Sequence, residues 1–352
     1  MELGSNFELD ISSLTEQQDT VFEYLGELNS IYTDSGRSAL KLLNKLIPKG
    51  KILLPVYICE SIIQTFNKEF DVQFYQINED LSVDIEDIEQ KLDDTVVAVY
   101  LLHYFGKIQN GSTLSYLQKK KELQDFIIIE DTTHSLLTSK ITIGDYCICS
   151  LRKWFAIPDG GVLYSRRKLL VGHESDLRNK GISQVLGAMI LKYFSIKNNV
   201  LCNQIYRSIF VEEEERLDRQ EEVLGISDIS RALLKCYSLN EVSQKRLANF
   251  QLLKNELRPY NISPIYDESD FIPFTFPIFV SDRDKFRQLL NQKNIYCAVH
   301  WPIKNETLKK NKVVSGIAKD IISLPMDQRY AEEHIEYLIK SVLECKNGEN
   351  NV

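Results

Sequence analysis

Between residues 31 and 165 the apolar positions switch repeatedly between helical spacing and unbroken runs. "SGRSALKLLNKLI" (Ser35–Ile47) sets Ala39, Leu40, Leu43 and Leu46 on one helix face. "KILLPVYI" (Lys51–Ile58) and "DVQFYQI" (Asp71–Ile77) read as strands, and "DIEDIEQKL" (Asp84–Leu92) as a helix. "TVVAVYLLHYFG" (Thr95–Gly106) is apolar throughout and predicts a buried strand. The helix "STLSYLQKKKEL" (Ser112–Leu123) and the strand "DFIIIED" (Asp125–Asp131) follow, then the strands "DYCICSL" (Asp145–Leu151) and "GGVLYS" (Gly160–Ser165). Runs apolar on both faces belong to strands covered by helices on both sides, which predicts a mostly parallel α/β sheet. Ligands of such sheets bind beyond the carboxyl ends of the strands. The residues to watch are therefore Tyr57–Cys59, His103–Gly106, Asp131–His134 and Lys153.

Residues 166–250 are helix-rich and charged. From about 255 the pattern mixes strands ("FPIFVSD", "IYCAVHW") with helices ("RDKFRQLLNQK", "AEEHIEYLIKSVLE"). This predicts a large α/β domain over 1–250 and a smaller α+β domain over 251–352. The 352 residues suffice for both, and a net charge of -8 argues against a general nucleic-acid binder. Seven scattered cysteines do not suggest a disulfide framework, so a reducing cytoplasm is expected. Cys147 and Cys149 share a strand face by alternation, and their spacing matches no usual zinc-ligand pair, so no metal is expected. "MELGSNFELD" lacks the basic and apolar segments of a signal peptide. The longest apolar tract, Gly181–Ile196, is interrupted by Ser183, Gln184, Lys192 and Ser195 and reads as a buried or interface helix, not a membrane span.

Four features carry candidate chemistry. In "DSGRSAL" (Asp34–Leu40) a glycine opens a helix, where free N–H groups and the helix dipole suit a phosphate; Arg37 and Ser38 add a charge and a hydroxyl. A plain helix capped by Ser35 explains the same letters. In "IIIEDTTHS" (Ile127–Ser135), Asp131 ends a very apolar strand, where a carboxylate needs a cation or a strong donor. It is either such a ligand, for instance to a pyridinium nitrogen, or a helix cap, and His134 follows within donor reach. In "CICSLRKWFAIPDGGVLYS" (Cys147–Ser165), Lys153 is flanked by Trp154 and Phe155. An amine held against an apolar wall is the nucleophile of imine chemistry; an ordinary strand-end lysine is the plainer reading. In "NIYCAVHWP" (Asn294–Pro302), His300 and Trp301 suit a loop closing a site, or a structural histidine.

Taken together, "LGSNFE", "SGRSAL", "EDTTHS", "SLRKWFAIPDGG", "VHWP" and "SLPMDQRYAEE" resemble, in order and spacing, the DegT/DnrJ/StrS-type nucleotide-sugar aminotransferases. The resemblance runs over essentially the whole chain. It implies the fold type I architecture of pyridoxal-phosphate enzymes, a homodimer, and an amino group moved from an amino acid, glutamate by preference, to a nucleotide-linked keto sugar for polysaccharide or secondary-metabolite assembly. Lys153 would form the internal aldimine and shuttle the proton. Asp131 would partner the pyridine nitrogen, His134 the phenolic oxygen, and Gly36, Arg37, Ser38 and Ser150 the phosphate. A ring-stacking aromatic is expected near Cys59, where Tyr57 is the available substitute, and His103, His300 and Trp301 are candidates for substrate contact.

Three positions depart from the family. Ile148 stands where a phosphate-binding serine is usual, Val223 where an asparagine reaches across the dimer, and Cys59 where the ring is usual. They motivate one rival, a regulatory or structural protein on the same fold with a decayed site; a pyridoxal-phosphate enzyme with a different reaction is the other alternative. The family's sugar dehydratases carry histidine in place of the lysine, and Lys153 argues against that branch.

Overall fold

The computed structural model describes residues 1–169, 179, 181–268 and 270–349. Within the helix-rich tract expected over 166–250, residues 170–178 and 180 lie outside the described residues. The chain forms two compact units, the larger of Asn6–Tyr104 and Ile108–Leu239, the smaller of Met1–Ser5, Phe105–Lys107 and Asn240–Val352.

The larger unit is built on a seven-stranded sheet. Its strands are β1 (Asn29–Thr33), β2 (Lys51–Pro55), β3 (Asp71–Tyr75), β4 (Val96–Leu102), β5 (Ile127–Asp131), β6 (Tyr146–Cys149) and β7 (Gly161–Ser165). They lie in the order β1-β7-β6-β5-β4-β2-β3. Only β7 runs antiparallel to its neighbours, β1 and β6; the other four pairings are parallel. Val99, Leu101, Ile128 and Ile129 at the centre are fully buried, as strands covered on both faces require. In register, Leu102 stands beside Asp131, and Asp131 beside Ile148. The carboxyl ends of β4, β5 and β6 therefore come out level.

Side-chain caps start the helices where the pattern places them. Ser35 accepts from Ser38 N, Asp84 from Asp87 N and Asn110 from Thr113 N. The helix Gly36–Leu43 stops short of Ile47 because Lys45 and Leu46 tighten into turns on the Leu42 and Leu43 carbonyls. β4 ends at Leu102, before Gly106, since Phe105 and Gly106 both take positive φ and turn the chain off the sheet. The apolar tract after Gly181 forms the helix Ile182–Asn198, which packs on Asn203–Arg219. Its interrupting Lys192 is buried but satisfied, donating to the Asn6 carbonyl at 2.6 Å and pairing with Glu8 at 3.2 Å. Among the described residues no helix is long and apolar enough to cross a membrane.

In the smaller unit, Leu3–Gly4 pairs in parallel with Ile295–Tyr296, and Phe276–Phe279 antiparallel with Ile321–Leu324. Helix Arg283–Gln292 packs beside the strands Ile295–Tyr296 and Ile321–Leu324 and against the helix Glu332–Glu349. The Gly4 N–H donates to the Tyr330 hydroxyl at 2.7 Å, so the opening "LG" belongs to this unit.

Candidate active site at the ends of the central strands

Asp131 closes β5 and is 3% exposed. Its Oδ1 accepts from Thr133 N at 2.9 Å and its Oδ2 from the Tyr100 hydroxyl at 2.8 Å. Burial raises its pKa; the Thr133 and Tyr100 hydrogen bonds and the Lys153 charge pull it back without cancelling the rise. His134 is buried three residues on, in the turn 133–138.

Lys153 ends a short 3-10 turn, Leu151–Lys153, after β6. The apolar wall expected around it is only half present. Trp154 and Phe155 are buried, whereas Lys153 itself is exposed. The aromatics anchor the loop and leave the amine in the open. Thr133 makes the connection: its carbonyl accepts from the Trp154 indole at 2.8 Å, its hydroxyl from Ser150 N at 3.2 Å, and its own N–H holds Asp131. One residue thus fixes the lysine loop against the aspartate. Nothing in its type marks it in the sequence.

The Asp-Gly-Gly after the lysine now has a physical account. Asp159 is 1% exposed and holds Ser227, the cap of the helix Asp228–Leu234, accepting from Ser227 N at 3.1 Å and Ser227 Oγ at 2.6 Å. Gly160 N donates to the Asp34 carbonyl at 2.7 Å. Gly161 passes so close to the phosphate-type turn that a Cβ would stand 2.3 Å from the Ser35 carbonyl carbon. Gly36 in turn abuts Ser150, whose Cβ would lie 3.2 Å from an added Cβ. The motif therefore presses Ser35–Gly36 onto the loop that carries Ser150 and Lys153. Gly161→Ala is expected to cost about 1–3 kcal/mol through this overlap. A lower urea midpoint would register it; an unchanged midpoint would show that the turn yields freely.

Other expected residues are placed differently. Arg37, proposed above as a phosphate charge, pairs with Glu214 at 3.1 Å and Asp218 at 2.8 Å on the helix Asn203–Arg219. Arg152 joins Glu214 at 3.0 Å. Burial pushes the Glu214 carboxyl up, but the two arginines outweigh it and hold the group low. Ser38 is fully buried, its hydroxyl donating to Asp34 Oδ1 at 2.6 Å. Of the expected phosphate turn, Gly36 stays beside Ser150 and opens a helix, whose first N–H groups have no partner within the helix.

His103 is fully buried, with Nδ1 accepting from Gln109 N at 3.1 Å and Nε2 3.8 Å from Glu130. Burial raises the Glu130 pKa, and His103 with the Thr142 donors outweighs it, leaving the group at about 2. Tyr57 is 1% exposed and stacks on Tyr104 at 6.0 Å. Cys59 is half-buried at the start of helix Glu60–Asn67, near enough to Tyr100 to act on it electrostatically. Ile148 is buried in β6, and Val223 lines a cavity of about 290 Å³ with Arg37, Lys41 and Gln220. Cys147 and Cys149 are buried, and burial pushes both thiols well up. In the smaller unit His300 Nδ1 lies 2.9 Å from Ser323 Oγ, and its ring meets Phe105, Phe274 and Trp301 edge-on.

A parallel sheet with one reversed strand, an aspartate ending its central strand and a lysine on the reversing loop define a fold type I pyridoxal-phosphate architecture. The sequence profile of the DegT/DnrJ/EryC1/StrS aminotransferase family matches residues 13–343, and the chain belongs to that family. Its members depend on pyridoxal phosphate. No curated protein sequence matches the chain. Among solved structures, Helicobacter pylori PseC, an aminotransferase of pseudoaminic acid biosynthesis, superposes with a TM-score of 0.67 at 16% identity, covering 98% of this chain and 99% of that one. NtdA of Bacillus subtilis, solved with the cofactor PMP, gives 0.64 at 15% identity over 92% of this chain and 75% of that one. DesV of S. venezuelae, solved with a ketimine intermediate, gives 0.64 at 15% over 92% and 86%. The residues present fit the family's cofactor. The buried Asp131 carboxylate has acceptor capacity beyond its two donors, Lys153 is accessible, and the helix start at Gly36 sits against Ser150.

Proposed function

We propose that the chain is a sugar aminotransferase that uses Lys153 and Asp131 on pyridoxal phosphate to move an amino group from glutamate to a nucleotide-linked keto sugar. The observation that carries this reading is the pairing across Thr133 of a buried carboxylate with a loop presenting an exposed amine. The cofactor, when bound, supplies an aldehyde carbon and an electron-accepting ring. Lys153 Nζ would hold it and would serve as the general base and acid that takes up and returns the donor's Cα proton. Asp131 holds a proton at the ring nitrogen. The Gly36 and Arg37 N–H groups and the Ser150 hydroxyl receive the phosphate, and His134 serves the phenolic oxygen.

Sugar chemistry is supported by family membership and by the likeness to PseC, an aminotransferase involved in the biosynthesis of pseudoaminic acid. Seven cysteines, all unpaired, support a cytoplasmic setting, and the family pattern supports a homodimer working in polysaccharide or secondary-metabolite assembly. The commitment of Arg37 to Glu214, with Cys59 in place of a ring, is what favours the rival reading of a decayed site. Adding pyridoxal phosphate to the purified protein distinguishes them. A visible band that borohydride fixes onto the Lys153 peptide and that glutamate bleaches is expected. A band that glutamate leaves intact would mean another donor or another reaction, and no band would favour the decayed site.

A further inference from the structure

β4 is aliphatic except for one ring, Tyr100. The residue is fully buried, so its hydroxyl must be satisfied or exact a desolvation penalty that phenylalanine would not incur. The hydroxyl donates to Asp131 Oδ2 at 2.8 Å. The ring is itself held, edge-on to Phe66 at 5.6 Å, and the Tyr75 hydroxyl donates to the Tyr100 carbonyl at 2.9 Å. With Thr133 N on Oδ1, each carboxylate oxygen has a fixed donor, and the plane of the group is set. Neither donor occupies all the lone pairs, so a further N–H can still be accepted.

We propose that Tyr100 is a positioning residue for the reaction, its hydroxyl keeping the Asp131 carboxylate ionised and oriented toward the protonated ring nitrogen of the cofactor. This rests on the assignment of Asp131 to that nitrogen. Burial favours the neutral acid at Asp131, and the Tyr100 hydrogen bond opposes it. Burial and the neighbouring carboxylate also keep Tyr100 a neutral phenol, so it donates throughout the working range. A neutral Asp131 would no longer hold a proton at the ring nitrogen, and the ring would accept electrons less well.

Tyr100→Phe retains the ring and removes only the donor. In cofactor-free protein carrying ¹³C-carboxyl aspartate, with Asp131→Asn identifying the signal, the Asp131 pKa is expected to rise by about one unit, a tenfold change in its ionisation constant. In protein reconstituted with ring-¹⁵N pyridoxal phosphate, the nitrogen signal is expected to move toward the unprotonated position, with Asp131→Asn marking the full loss. If Asp131→Asn moves the signal and Tyr100→Phe moves neither readout, the role of Tyr100 is overturned and the Asp131 assignment stands. If Asp131→Asn leaves the nitrogen unmoved, both are overturned. Should the phenylalanine variant not fold, 3-fluorotyrosine at position 100, a stronger donor of nearly the same shape, is expected to lower the Asp131 pKa. A tyrosine that only fills space would leave it where it is.

Discussion

Lys153→Ala protein mixed with pyridoxal phosphate is expected to bind the cofactor without attaching it. Borohydride would then fix no label on the peptide, and transamination would fall by about 10⁴-fold or more, the combined loss of nucleophile and proton carrier. The reason is positional. Lys153 is exposed at the end of a turn whose neighbours Trp154 and Phe155 are buried, and its charge acts on Asp131. Removing an exposed amine takes nothing from the core, so the variant should melt near the parent temperature in its cofactor-free form. That separates lost chemistry from lost folding. An added small amine is expected to restore part of the turnover by taking over the proton transfer. Full activity in Lys153→Ala would refute the site.

Asp131→Ala is expected to act through a different quantity. Taking away the partner of a buried, bonded charge costs about 3–5 kcal/mol, which at about 1.4 kcal/mol per decade is a hundredfold or more in cofactor affinity and turnover together. In the cofactor-free protein the sign differs. The folded-state pKa of Asp131 is raised, so the carboxyl supports the fold at pH values below its ordinary range, and that contribution is lost as pH rises through the folded value. Asp131→Asn, which keeps the shape, should therefore gain stability relative to the parent between acid and neutral pH while losing the cofactor. Urea unfolding at several pH values, with and without pyridoxal phosphate, measures both. A parent and variant that track each other across pH would show that burial does not strain the carboxylate.

The sheet was legible in the sequence, and the two candidate groups were conspicuous there because both stand near the end of an apolar strand. Asp131 ends "FIIIE" and Lys153 interrupts "SLRKWF", and a charge at a strand end is conspicuous. What the sequence concealed were partners distant along the chain. Arg37 looks like a phosphate ligand beside a helix start, and its actual partners, Glu214 and Asp218, lie on a helix far downstream. Ser38 carries a hydroxyl at the right spacing, but the helix turns it inward to Asp34. His103 sits where β4 was expected to continue; the strand ends one residue earlier, and the imidazole is taken up by Gln109 and Glu130. Tyr100 and Thr133 were invisible for opposite reasons. One is a ring in an apolar strand, the other a common turn residue that contributes its backbone as much as its side chain. A lone hydroxyl in an otherwise aliphatic buried strand was the signal available for Tyr100.

The reversed strand has a further consequence, for the birth of the protein. Within the sheet β1 lies beside β7, from Asn29–Ser165 to Thr33–Gly161, and its end also bridges to Gly225, later still in the chain. At about 5–20 residues per second of synthesis, the chain between β1 and β7 takes on the order of ten seconds to emerge. Over that interval the first strand of the sheet has been made and its partner has not. The nascent chain can assemble β2 to β5 early, but the edge that bears the Gly36 turn must wait for the loop that bears Lys153. The Gly36 turn thus closes onto the Lys153 loop only after the chain has been made as far as Ser165.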